Sequence, residues 1–365
     1  MTITEAGVFE ATAFESAAQH AVAGNAVTAY RPVFTTGPAA DLFSSYVVTT
    51  ALSAAHELGL LDLLNAERVI AIGDMAGDKL DPGVVRGLLV ALGWAGVVEV
   101  EGDKAVAGPR FDDVYAARGY YYWLVRGCGE LFATAPDVAY RDRRVGEFFH
   151  RDMRAVAIGS RLIGDTEVEP LFDELLAGLG VATMADLGCG SGQRLLRVAD
   201  RNPQARGIGV DIAQGAVTLA RDSIAEAGMD ERIRIVRGDV LNLPEDPGFA
   251  DVDVITCVFM GHDFWPMQRC VDGLADLRRA FPNAKRLLLC DVVRTPGAPG
   301  PDTTIFTLGF ELVHALMGVY IPSREEWLGA FRAAGWELVA EHPVTAPPSG
   351  ILFELRPSVS PALAD

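Results

Sequence analysis

The chain has 365 residues, half of them hydrophobic, and a formal net charge of −18 from 49 acidic and 31 basic residues. That length allows two or three domains with a large core. That charge argues against nucleic acid or an anionic membrane as the main partner, and leaves a small-molecule enzyme as the default.

The first eleven residues, MTITEAGVFEA, carry neither a basic stretch nor a long apolar run. No secretory signal or membrane span is expected, and a cytoplasmic protein is. From Ala39 to Leu61 apolar residues recur at helical spacing. Residues 67–109 predict a short helix, a longer one from Pro82 to Trp94, and a hairpin of Val97–Val100 with Lys104–Ala107 about Glu101-Gly102-Asp103. This is the arrangement of a winged helix. Its would-be recognition helix has one arginine and is mostly apolar, so a dimerisation role is favoured over DNA binding, and a homodimer is expected. Residues 111–180 supply helical segments rich in aromatics and arginine, including the run 141–154 with five arginines.

Strands are predicted near 183–187, 207–211, 233–237, 253–259, 286–291 and 350–355. Helices are predicted over 267–281 and 323–334, the second opened by a capping box of Ser323 and Glu326. The expected fold is α/β, a Rossmann-like domain over 181–356. It follows a mostly helical winged-helix unit (1–110) and a helical linker and substrate region (111–180), and precedes a flexible tail (357–365). The five cysteines, Cys128, Cys189, Cys257, Cys270 and Cys290, lack close CxxC spacing and read as small buried thiols in a reducing compartment.

The most informative stretch is 182–212. An apolar run enters Asp186-Leu187-Gly188-Cys189-Gly190-Ser191-Gly192; a helical segment follows, then a second apolar run ending in Asp211. This is a first βαβ unit, with glycines that let the backbone approach a ligand. Asp211 stands about 20 residues on, where an acid meets a ribose diol. Asp239 and Val240 follow the third strand. The D-x-G-C-G-x-G form resembles the S-adenosylmethionine loop of class I methyltransferases. That resemblance implies cofactor contacts from Asp186, Gly188, Gly190, Asp211, Asp239 and Val240. Asp186 would orient the methionine amino group, Asp211 the ribose, and Asp239 would lie near the adenine.

Two of the six histidines are distinctive. His262 follows the fourth strand in Met260-Gly261-His262-Asp263-Phe264-Trp265, and His314 lies in an apolar helix. His262 suits a general base or, paired with His314, a transition-metal ligand. Over roughly residues 40–356 the chain resembles the small-molecule methyltransferases with a winged-helix dimerisation domain. In that group the histidine of His262-Asp263-Phe264-Trp265 is the catalytic base. Within the group the similarity is greatest to the non-haem iron-dependent 2-oxoacid C-methyltransferases, such as the phenylpyruvate enzyme of mannopeptimycin biosynthesis.

The resemblance implies Fe(3+) held by His262 and His314. It also implies methyl transfer to C3 of a 2-oxoacid such as phenylpyruvate, in natural-product (antibiotic) biosynthesis. Asp263 would accept a proton or orient His262, and His262, Asp263 and His314 form the expected catalytic set. Trp123, Tyr121, Phe264 and Trp265 are candidates for the substrate pocket, with Arg126 or Arg144 for its carboxylate. Two other readings stand beside this one. One is a metal-independent O-methyltransferase of a phenolic or polyketide hydroxyl with His262 as base. The other is a winged-helix regulatory module that senses S-adenosylmethionine.

Overall fold

The alternating apolar runs and helices of the C-terminal half build one seven-stranded sheet in a computed structural model, which describes residues 37–297, 305–344 and 350–358. Residues 1–36 of the expected N-terminal unit, and 359–365 of the expected tail, lie outside the described residues.

The N-terminal part opens with the helices Pro38–Glu57 and Leu60–Glu67. Next come β1 (Val69–Ala71), the helices Ile72–Ala76 and Pro82–Gly93, and the hairpin of β2 (Val98–Glu101) and β3 (Lys104–Ala107). β1 pairs with β3, giving an antiparallel sheet of order β1-β3-β2. Asp81 caps Pro82–Gly93 by accepting from Val84 N, and Pro82 occupies the first turn, where its missing N–H costs nothing. Leu52, Leu60, Leu64, Leu89, Leu92, Val98 and Phe111 bury together as the core of this part.

The large sheet contains β4 (Thr183–Leu187), β5 (Arg206–Asp211), β6 (Ile233–Arg237), β7 (Val254–Val258), β8 (Arg286–Val292), β9 (Trp336–Val344) and β10 (Gly350–Pro357). Its order is β6-β5-β4-β7-β8-β10-β9. β4 through β8 run parallel, while β10 is antiparallel to both β8 and β9. The strand order reverses at β4, between β5 and β7, and α/β sheets bind ligands in the crevice at the carboxyl ends of such strands.

Both faces are covered. Leu274 and Leu277 of the helix Met267–Ala280 pack with Trp327 and Phe331 of Arg324–Ala333 and with Phe264, Trp336 and Phe353. On the other face Phe172, Leu195, Val217, Ala220 and Ile224 close over Met184 and Ile233. Each such side chain contributes roughly 1.5–3 kcal/mol by leaving water. The buried indoles also satisfy their N–H groups, Trp327 on Val292 O at 3.2 Å and Trp336 on Leu274 O at 2.9 Å.

The expected capping box forms: Ser323 Oγ accepts from Glu326 N, and Glu326 accepts from Ser323 N. It starts the helix that carries Trp327 and Phe331 into the core. Ser323→Ala is therefore expected to lower stability by about 0.5–2 kcal/mol, read as a shift in the urea midpoint at unchanged slope.

Candidate active site

Three turns converge at the carboxyl ends of β4, β5 and β7. β4 ends in Asp186 and Leu187, and the chain turns through Gly188, Gly190 and Gly192, all with positive φ. Gly188, at φ 68°, is required twice over: a Cβ there would lie 2.7 Å from Met260 Sδ, on the turn that follows β7. Gly188 N and Cys189 N both donate to Val210 O, which ties the turn to β5. Asp211 fixes it further, accepting from Gly190 N at 3.0 Å and Ala213 N at 2.9 Å. Asp239 is exposed and accepts from Leu241 N, while Val240 is buried beside it. Asp186 is buried, and its Oδ1 accepts from Arg194 Nη1 at 2.8 Å and Thr256 Oγ1 at 2.6 Å.

The turn after β7 is shaped by two backbone features. Phe259 adopts φ 50°, a left-handed conformation that a bulky residue holds only when its surroundings compel it. Gly261 presses against β8, where a Cβ would stand 3.0 Å from both Asp291 Oδ2 and the Trp327 ring. This close approach lets His262 N donate to Asp291 Oδ2 at 2.8 Å while His262 Nδ1 meets Asp291 Oδ1 at 2.7 Å. The carboxylate holds backbone and ring together, so Nδ1 carries the proton and Nε2 is the basic nitrogen.

His314 arrives on the helix Ile305–Met317, which packs through Val313 and Met317 on Cys128, Leu131 and Val138. Its ring centroid lies 5.0 Å from that of His262, nearly perpendicular, and its Nδ1 is held on Phe310 O at 2.8 Å. Phe310 stacks on His314 and on Trp123. Both histidines are buried, and among the described residues neither Nε2 takes a hydrogen bond. Burial, the neighbouring His262 and Arg151 push His314 down to about 3, so it is a neutral imidazole. Burial also opposes charge on His262, but Asp291 outweighs it and raises this histidine above its ordinary value.

The structure thus brings His262 and His314 together, and brings Asp186, Gly188, Gly190 and Asp211 to one crevice. Asp263, expected to accept a proton or orient His262, is exposed and takes no side-chain hydrogen bond among the described residues, though its charge adds to that of Asp291 in raising His262; the acid hydrogen-bonded to His262 is Asp291. The candidate arginines differ as well. Arg126 pairs with Asp152, and Arg144 donates to Val138 O and Ala315 O. Arg151 is the cation whose field reaches both histidines. Its Nε is buried without a hydrogen bond, and it has no carboxylate partner among the described residues. Tyr121 faces a hollow lined by Val48, Trp94 and Arg110 instead, and Phe264 and Trp265 are core residues. Asp291 had a signal in the sequence, a lone acid in the apolar run Leu287-Leu288-Leu289-Cys290-Asp291-Val292; Arg151 had none beyond its place among five arginines.

Residues 184–283 match a family model described as a methyltransferase domain. The chain is 39% identical over 331 residues, 87% of its length and 96% of the relative's, to methyltransferase ungE' of Aspergillus campestris. The chain belongs to the S-adenosylmethionine-dependent methyltransferases. Two further relatives carry more specific names. It is 36% identical over 210 residues to indolepyruvate C-methyltransferase of Streptomyces griseus, covering 56% of this chain and 60% of that one. It is 30% identical over 177 residues to phenazine O-methyltransferase PhzM of Lysobacter antibioticus, covering 48% of each chain. The methyltransferase core is of the class I α/β, Rossmann-like type, and the enzyme methylates a small organic molecule.

In this methyltransferase Asp291→Asn removes the charge that raises His262, leaving burial to dominate. On the reading in which His262 is the base, it acts unprotonated, so activity climbs with pH through its pKa. The acid limb of kcat/KM is expected to move to lower pH in the variant, while kcat falls by about 10²–10⁴-fold as orientation is lost. A pH profile of both proteins checks this; an unmoved limb with unchanged kcat would refute the pairing.

Proposed function

We propose that this methyltransferase acts at an oxygen, methylating a phenolic or polyketide hydroxyl of a small molecule with His262 as general base. The observation that carries the reading is the buried His262–Asp291 pair, which presents one oriented imidazole nitrogen beside the cofactor turn. S-adenosylmethionine supplies an electrophilic methyl group, so the protein's task is to free a lone pair on the acceptor. His262 Nε2 takes the hydroxyl proton as the oxygen attacks, and Asp291 stabilises the imidazolium that results. Asp211 would accept from the ribose hydroxyls, with Gly188 and Gly190 giving the cofactor close access to the backbone. Asp239 and Val240 would lie beside the adenine.

A second reading keeps the fold and cofactor but moves the reaction to C3 of a 2-oxoacid such as phenylpyruvate. Three observations favour it. Each histidine has its Nδ1 held, one by a carboxylate and one by a carbonyl, as metal-ligating histidines do. Arg151, without a carboxylate partner among the described residues, offers a cation near both histidines that could meet an oxoacid's carboxylate. A relative named for indolepyruvate shares 36% identity. The donor set fits a metal in part: among the described residues no three His, Cys, Asp or Glu side chains are grouped to hold one. His262 and His314 would hold a ferric ion through Nε2, leaving its other positions to substrate and water. Bound there, the ion would supply Lewis acidity to the oxoacid's oxygens.

Metal content and activity separate the two readings. The hydroxyl reading expects full activity after chelation, loss of about 10²–10⁴-fold in His262→Ala and a mild effect of His314→Ala. The oxoacid reading expects stoichiometric iron, its loss in both variants, and a spectral change when phenylpyruvate is added. Elemental analysis with a panel of phenols and 2-oxoacids distinguishes them.

We propose that the N-terminal unit, 1–110, is a winged-helix dimerisation module, with 111–180 as the substrate-region linker and 181–356 as the catalytic domain. Leu42, Phe43 and Tyr46 are exposed on neighbouring turns of Pro38–Glu57, an apolar surface that a second copy would cover. Light scattering at micromolar protein is expected to give a dimer, and the double substitution Phe43→Glu, Tyr46→Glu a monomer; a monomeric parent would reject the assignment. Among the described residues no single helix is long and apolar enough to cross a membrane. A cytoplasmic location is supported by five buried cysteines, all unpaired.

A further inference from the structure

Beside the glycine turn, one guanidinium serves two buried carboxylates. Arg194, in the first turn of the helix Gln193–Arg201, donates from Nη1 to Asp186 Oδ1 at 2.8 Å and from Nη2 to Glu169 Oε1 at 2.6 Å. Its guanidinium also stacks on the Phe172 ring, 4.8 Å from the centroid. All three charged groups are nearly excluded from water, with side-chain exposures of 12%, 1% and 10% for Arg194, Asp186 and Glu169.

The oxygens are unevenly used. Asp186 Oδ1 takes both Arg194 and Thr256, while Oδ2 takes no hydrogen bond among the described residues. Glu169 Oε2 is buried and likewise without a hydrogen bond. Arg197 Nε lies 3.9 Å from it, in a guanidinium shared with Asp173, which Arg201 also meets. Three guanidiniums thus face the three carboxylates Asp186, Glu169 and Asp173, and what is left open is Asp186 Oδ2, at the point where the glycine turn begins. A buried carboxylate oxygen without a donor favours one, so Oδ2 is suited to receive an ammonium group.

We propose that Arg194 is a positioning residue for the amino-acid end of S-adenosylmethionine, fixing Asp186 through Oδ1 so that Oδ2 receives the cofactor's ammonium group. The inference rests on the reading of the pocket in which Asp186 meets the methionine end. Glu169, the first residue of the helix Glu169–Leu179, anchors the other side of the guanidinium. Thr256 on β7 holds the carboxylate from the opposite side, so Asp186 is gripped between two strands and two helices. A purely structural clamp would have the same contacts; what separates the roles is which part of the ligand depends on Arg194.

Two ligands make that separation. S-adenosylhomocysteine carries the ammonium group, and 5′-methylthioadenosine has the same nucleoside without it. Calorimetry on the full-length protein, Arg194→Lys and Arg194→Met gives both affinities. In Arg194→Met, S-adenosylhomocysteine is expected to bind about tenfold more weakly or worse, the loss of one charged hydrogen bond, with 5′-methylthioadenosine within about twofold of the parent. Arg194→Lys keeps the charge but cannot bridge both carboxylates, and is expected to show the same split to a smaller degree. If Arg194→Met does not fold, the lysine variant decides. Equal weakening of both ligands, or unchanged S-adenosylhomocysteine affinity, overturns the proposal. Asp211→Ala is the control: it should weaken both ligands, and an unchanged 5′-methylthioadenosine affinity there would mean that the pocket reading itself has failed.

Discussion

A carboxylate with no exposure to solvent sits inside a buried, mostly apolar strand of the sheet. Asp291 on β8 is flanked by Cys290 and Val292, and a charge in that position is stable only if its oxygens are fully engaged. They are: His262 N on one, His262 Nδ1 and Val292 N on the other. Much of the local architecture follows from this requirement. The backbone after β7 must come within hydrogen-bond reach of β8, so position 261 must lack a Cβ and Phe259 must take a left-handed turn. The outer wall of that contact is Trp327, whose N–H is spent on Val292 O. The orientation of His262 and the burial of Asp291 are thus one arrangement seen from two sides.

The two halves of the site are built differently. Around the glycine turn stand Asp186, Glu169 and Asp211, with Arg194 bridging the first two. On the other side Arg151 and the His262–Asp291 pair stand beside a neutral His314. The protein's overall charge of −18 says nothing of this division, because local fields in a buried site are set by nearby groups and not by the distant surface.

Much of this was legible in the sequence, for identifiable reasons. The glycine turn and the acids after β4 and β5 follow from short apolar runs that end in polar residues, and a buried parallel strand has to look like that. The capping box at Ser323 was equally plain. β9 was not: Glu337, Glu341 and His342 interrupt its apolar residues, as suits an edge strand, half-exposed and paired on one side only. The site was legible by element and not by partner. His262 could be placed after the fourth strand, yet its nearest acid in sequence, Asp263, is exposed and makes no hydrogen bond to it. Asp291, the acid it uses, comes from the neighbouring strand, and which residues face each other across two strands depends on register. Arg151 and Arg194 were hidden for another reason. Arginines are abundant on surfaces, and only three-dimensional packing tells which one turns its charge toward two histidines and which one bridges two carboxylates.

The near contact of Gly188 with Met260 carries a mechanical consequence. Two turns leave neighbouring strands, β4 and β7; one is the glycine turn that on the proposed reading cradles the methyl donor, and the other carries His262. The space beside Gly188 is filled by the Met260 side chain, and among the described residues no backbone hydrogen bond links the two turns. Methionine is unbranched and polarizable, and it shifts among rotamers at small cost. On the proposed reading such a joint would let the crevice fit the cofactor both before and after it loses its methyl group.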